Sequence, residues 1–201
     1  DLIAAISLAN QKENFSRVPR LTLDQLGSFC SGNWISFSGH IGSQLSDVLF
    51  EDPKIAYNIT KKSQLNSVLH HDARKRFDQA LGKLIGIFGK ENFFGEIQVI
   101  DSTTLPIVSM IAEMIRDWCT VGCVATPDAH YASPEDVYDQ RTILCNNQAV
   151  NSTLKVINNR LQAGQDVTLG TFFKSNKYYI PSHEEMMKIH TEEEVANTSL
   201  I

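Results

Sequence analysis

Two places in the sequence carry residues able to hold a divalent cation: Asp128-Ala129-His130, and His40 directly after Ser38-Gly39. In an extended segment the side chains at i and i+2 share a face, so Asp128 and His130 can turn toward one ion. Carboxylate plus imidazole suits Zn, Mn or Fe, and water bound to such ions becomes a hydroxide nucleophile near neutral pH. Spacing alone carries less than this. A lone D-x-H reads more readily as a turn-capping Asp beside a surface His, and a His after Gly often does no more than end a strand. The two places strengthen each other only where the fold brings them together.

Other candidates rank lower. His70-His71 precede a charged helix, with Asp72 as a plausible cap, and read as solvent-exposed. His183 and His190 lie seven apart with no partner at i,i+4, and read as surface residues. Glu96 alternates with Ile97 on a strand and could face inward, but one carboxylate makes no acid/base pair. The chain has no G-x-x-x-x-G-K-[ST], G-x-G-x-x-G or G-x-S-x-G, so a P-loop, a dinucleotide fold and a nucleophile elbow lack support. Metal-assisted hydrolysis is the only chemistry with residues behind it, and no catalytic acid, base or nucleophile is assigned.

The elements that must position these residues follow from hydrophobic periodicity. Trp34 to Ser38 is rich in β-favouring residues and ends at Gly39, which predicts a strand presenting His40 at its carboxyl end. Phe93 to Ile100 reads as a second strand. Val121 to Ala125, nearly all apolar, reads as a third, of the kind covered on both faces in a parallel sheet, and it delivers Thr126 to His130. Between them, Asp72 to Phe88 carries a broad apolar stripe at helical spacing, and Leu105 to Trp118 another. Leu2, Ile3, Ile6 and Ala9 predict a buried helical face, and Thr22 predicts a cap. Ser133-Pro134-Glu135-Asp136 has the hydroxyl, the proline and the carboxylates of a helix start running to about Cys145. A polar helix to roughly Leu161 and a helix capped by Ser182 complete the reading. Strands alternating with helices indicate an α/β fold with parallel strands, whose functional groups collect at the strands' carboxyl ends.

Composition bounds the rest. The chain has 201 residues, 42% of them hydrophobic, enough for one domain with a sizeable core. Its net charge of −5, from 18 basic and 23 acidic residues, leaves no chain-wide basic field to hold a nucleic-acid backbone. Cys30, Cys119, Cys123 and Cys145 are scattered in a chain too large to need disulfide staples, and Cys119/Cys123 lack the companion pair of a zinc knuckle. These features point to a cytoplasmic home and to unused sequons at Asn14, Asn58, Asn151 and Asn197. No apolar run reaches the roughly 20 residues of a membrane span. A start in what reads as mid-helix, and an end without a helix terminator, suggest a fragment of a longer protein.

At this point the segments resemble a known family, the PHP domain (polymerase and histidinol phosphatase type) of the α subunit of bacterial and phage DNA polymerase III. Trp34-Ile35-Ser36-Phe37-Ser38-Gly39-His40-Ile41-Gly42 is similar to the family strand ending in S-G-C or S-G-H. Phe93-Phe94-Gly95-Glu96-Ile97-Gln98 resembles F-Y-L-E-I-Q, and Val124 to Tyr131 resembles V-A-T-N-D-x-H-Y. Pro134-Glu135-Asp136 through Cys145 looks like the family's E-D helix. Tyr178 to Met186, with Ala196-Asn197-Thr198, resembles the segment leading toward the polymerase palm. The matches run in the family's order over nearly the whole chain, with none clear over 146–177.

The resemblance implies an α/β fold, a distorted (β/α)7 barrel incomplete at its N-terminal side, over residues 1–148, with an extension packed on it over 149–201. It places His40, Asp128 and His130 on metal-ligand positions for divalent Zn, Mn or Fe. It implies a replicative DNA polymerase as parent, with DNA and dNTPs engaged through other domains, replisome subunits as partners, and a possible metal-dependent 3'-5' exonuclease. The family's H-x-H opening and further ligands, expected upstream, and the palm carboxylates, expected downstream, have no counterpart here. The chain alone is therefore expected to hydrolyse nothing efficiently, since opposing ligands fix a metal's geometry. A degenerate scaffold supporting the polymerase and a stand-alone phosphatase acting on small phosphate esters are the alternatives.

Overall fold

The computed structural model describes residues 1–52, 59, 61–100, 106–140, 143 and 175–201. Its core is organised by two amphipathic helices. Helix α4 (Ala73–Phe88) buries Ala73, Phe77, Ala80, Leu81, Leu84 and Phe88, the i, i+4, i+7 stripe, and leaves Arg74 and Asp78 outside as an i,i+4 ion pair. It stops at Gly89, whose φ of 85° lies in the region favouring glycine, with the Gly89 N–H donating to Ile85 O at 2.8 Å. Helix α5 (Pro106–Trp118) buries Ile107, Met110, Ile111, Met114 and Ile115. Edge-to-face packing joins the two helices, Phe77 on Trp118 with ring centroids 5.5 Å apart.

Three short strands lie against these helices: β3 (Ser36–Phe37), β4 (Phe93–Ile97) and β5 (Cys123–Ala125). They form one parallel sheet in the order β3-β4-β5, with Ser36 opposite Phe93 and Gly95 opposite Cys123. In β4 only Glu96 escapes full burial, which fits a central parallel strand covered on both faces. Ser38 extends the β3 pairing: its N–H donates to Phe94 O, and its hydroxyl accepts from the Glu96 N–H at 2.8 Å.

The expected (β/α)7 barrel is not what the described residues form. The sheet has three strands of two, five and three residues and is open. Closure needs further strands, tilted and staggered until the last pairs with the first. At β5 that route is occupied. The Cys123 carbonyl accepts from Asn197 Nδ2 at 2.7 Å, and α7 (Glu192–Ala196) packs on the strand.

Around this centre lie small elements. Helix α1 (Leu2–Ala9) buries Ala5 and Ala9, whereas Leu2, Ile3 and Ile6, the face expected inside, are exposed. Strands β1 (Phe15–Ser16) and β2 (Val18–Pro19) pair antiparallel about Arg17, at φ 64°. Helix α2 (Leu23–Gly27) starts at the expected Thr22 in a full capping box with Gln25. Asp72 makes no cap bond to α4 and instead accepts from Arg76 Nε at 2.7 Å. Ser133 opens a 3-10 turn over Pro134–Asp136 that continues as helix through 137–140; the expected end at Cys145 and the polar helix to Leu161 lie outside the described residues. Ser182 caps α6 (His183–Met186), again in a capping box. Among the described residues no helix is long and apolar enough to cross a membrane.

Candidate functional site

The parallel strands present their carboxyl ends on one side, and the residues singled out for chemistry leave from there. After β5 the chain stays extended, with the Thr126 N–H still donating to Ile97 O at 3.2 Å. The returning segment 176–180 then holds the next turn. The N–H groups of His130 and Tyr131 donate to Tyr178 O at 2.7 and 3.2 Å, and Tyr131 Oη donates to Asn176 O at 2.7 Å. Tyr178, itself buried, presents its ring edge-on to His130 at 5.5 Å. This fixes both backbone and imidazole. His130 Nε2 lies 3.1 Å from Asp128 Oδ1, with the two side chains 37% and 39% exposed. The i, i+2 geometry anticipated for D-x-H is present, and the carboxylate orients the imidazole.

His40 sits at the end of β3. Gly39, at φ 77°, makes the turn, and a Cβ there would come within 2.8 Å of Ser43 Cβ, so the position admits only glycine without strain. Helix α3 (Gln44–Asp47), capped by Ser43, holds the turn from the other side, with Ser46 Oγ donating to His40 O at 3.0 Å. The Gly42 N–H donates to His40 Nδ1 at 2.8 Å. A neutral imidazole accepting at Nδ1 carries its proton on Nε2, so His40 offers a donor there rather than the lone pair a metal needs.

Glu96 is the member that sequence reasoning undervalued. Its Oε1 accepts from Thr126 Oγ1 at 2.7 Å, tying the central strand to the segment that carries Asp128. With His40, Gln98 and Ile111 it also lines a narrow crevice at the end of β3. The signal was present: a lone carboxylate between buried neighbours on an apolar strand. Next to Pro127 opens a larger cleft of about 200 Å³, walled by Val99, Ile100, Met186 and Ile189, with Lys177, Lys188, Tyr179 and Glu185 on its lining. Tyr179 Oη donates to Glu185 Oε1 at 2.5 Å; this bond, then the Ser182 N–H and hydroxyl, hold the Glu185 carboxyl down to about 2.

A second polar cluster lies where the end of the chain docks on the sheet. Arg116 on α5 pairs with Glu194 on α7 through two bonds, Nη2 to Oε2 at 2.8 Å, and Glu194 Oε2 lies 3.4 Å from His190 Nδ1. His190, expected on the surface, is buried. Burial pushes its imidazole below the ordinary range, outweighing the pull of Glu194 in the other direction.

The structure thus brings Asp128 together with His130, and His40 with Glu96. Among the described residues no three His, Cys, Asp or Glu side chains converge to hold one ion. Asp128 is turned to His130, and the His40 Nδ1 lone pair accepts from the Gly42 N–H. No protein-family model matches the sequence, and no curated protein matches it.

Proposed function

We propose that the chain is part of the PHP region of a DNA polymerase III α-like replicative polymerase, bacterial or phage, and works in DNA replication within a longer parent polypeptide. One observation carries this reading. The three segments with PHP-like sequence lie side by side as parallel strands, and Ser38-Gly39-His40, Glu96 and Asp128-Ala129-His130 leave from the same side of the sheet. Parallel strands collect function at that side. The tail that resembles the approach to a palm packs against the last of these strands, through Tyr178 on His130 and Asn197 on Cys123. DNA, dNTPs and other replisome subunits are engaged through the parent's remaining parts.

Within this reading the geometry favours a supporting role. Asp128 and His130 are turned to each other, and His40 Nδ1 accepts from the Gly42 N–H, so these side chains are already engaged within the fold. A second reading, a divalent-metal 3'-5' exonuclease, is favoured by Glu96 standing between the two places and by the lysine-bearing cleft beside Pro127. It needs ligands beyond the described residues. His130→Ala in the full-length parent separates the two. Unchanged metal content and exonuclease rate fit the support role, whereas loss of bound metal with a hundredfold slower exonuclease fits the enzyme. A parent gene encoding no polymerase palm, and a product that extends no primer, would overturn both.

A further inference from the structure

Helix α5 ends at Trp118, Cys119 follows it, and after three intervening residues β5 begins with Cys123. Both thiols come to rest over Gly95 on the neighbouring strand. A Cβ built on Gly95 would lie 3.1 Å from Cys119 Sγ and 3.0 Å from Cys123 Sγ, so the missing side chain is the space the two sulfurs share. Both residues are half-buried and reduced. Among the described residues no third His, Cys, Asp or Glu converges on them.

We propose that Cys119 and Cys123 form a reversible dithiol/disulfide site, oxidised by low-molecular-weight disulfides. Interaction with the neighbouring sulfur over Gly95 holds the Cys123 thiol below the ordinary range and, together with burial, Cys119 above it. Cys123 is therefore the nucleophile. Its thiolate attacks one sulfur of a disulfide RSSR, forming Cys123–S–S–R and expelling RS⁻, which takes up the proton Cys123 has lost. Cys119 then gives up its proton, and its sulfur displaces the second RS⁻ from Cys123, which takes up that proton. Two protein thiols become one disulfide, and RSSR becomes two RSH. Nothing from Gly95 stands between the sulfurs, and three residues, Thr120-Val121-Gly122, separate the two cysteines that must close to bonding distance. The bond joins the end of α5 to β5, the strand whose Cys123 carbonyl holds Asn197.

The test is oxidation of the folded 201-residue chain with glutathione disulfide, followed by alkylation, trypsin and mass spectrometry. The tryptic peptide 117–141 contains Cys119 and Cys123 and no other cysteine. It is expected to become lighter by two hydrogens and refractory to alkylation, and to regain two alkylatable thiols with dithiothreitol. Cys30, whose thiol burial pushes up, stays alkylatable on its own peptide. Closure is expected at least tenfold faster in the folded chain than in urea, and Cys119→Ser is expected to trap glutathione on Cys123. Retention of two alkylatable thiols in the wild-type peptide, or equal closure rates folded and unfolded, overturns the proposal.

Discussion

Asp128 with His130 and Glu194 with His190 each set a carboxylate beside an imidazole at similar separations, 3.1 and 3.4 Å, in opposite surroundings. The first pair is more than a third exposed, two residues apart, on a turn that the 176–180 segment holds from outside. The second is buried, and Arg116 reaches it from a helix 78 positions earlier in the chain. Water screens the exposed pair, so it contributes little to stability and stays available for chemistry or contact. The buried pair lacks that screening. Glu194 accepts from Arg116 and from the Thr191 N–H, with His190 Nδ1 3.4 Å away, and this makes it a clamp fastening α7 to α5. Burial, more than residue type, separates a site from a strut.

The largest effect expected from breaking this contrast is at Glu194. Glu194→Ala leaves Arg116 in a half-buried site without its carboxylate, and the chain should lose about 3 kcal/mol in denaturant unfolding, near the low end for breaking a buried pair. A loss under about 0.5 kcal/mol would place the clamp with ordinary surface pairs. Next comes Gly95→Ala on the same side of the sheet. Its Cβ would meet Ile115 Cγ2 at 2.9 Å as well as the two sulfurs, so about 2 kcal/mol of overpacking is expected in the same assay.

The pH dependence of the clamp is smaller and has a defined direction. The folded chain holds His190 below its ordinary 6.5, so the unfolded chain takes up this proton first as pH falls. The contribution of neutral His190 is complete above about pH 6.5 and is lost as pH falls through the lowered folded value. Hydrogen bonds to Arg116 and to the Thr191 N–H hold the Glu194 carboxyl below its ordinary 4.5 against the opposing effect of burial, so its contribution is present above 4.5 and fades below. Thermal melts should therefore fall progressively below pH 6.5 and again below 4.5. His190→Gln should flatten the upper limb and keep the lower; a melt profile identical to wild type would remove His190 from the clamp. Smallest is His130→Ala, which should change unfolding by no more than about 0.5 kcal/mol, the usual range for a surface position. A larger loss would mean that the exposed pair also holds the fold.

The local grammar was legible. The stripe read over Asp72 to Phe88 is α4 to within one residue, with Ile85 alone of its apolar positions only half-buried; Thr22 and Ser182 cap helices where hydroxyls precede acidic or amide partners, and the three apolar runs became three parallel strands in order. Asp128 and His130 face each other because alternation along an extended chain is a property of the backbone itself. These features depend on neighbours within a few positions, which the sequence states directly. Openness of the sheet, exposure of Leu2 and Ile3, and burial of His190 depend on which distant segment arrives to cover a face. So do the bond from Thr126 to Glu96, 30 positions apart, and the meeting of two thiols over Gly95. Periodicity says which face of an element is apolar and nothing about what packs on it. Which His stays in water and which is enclosed with an Arg and a Glu was therefore decided by tertiary structure alone.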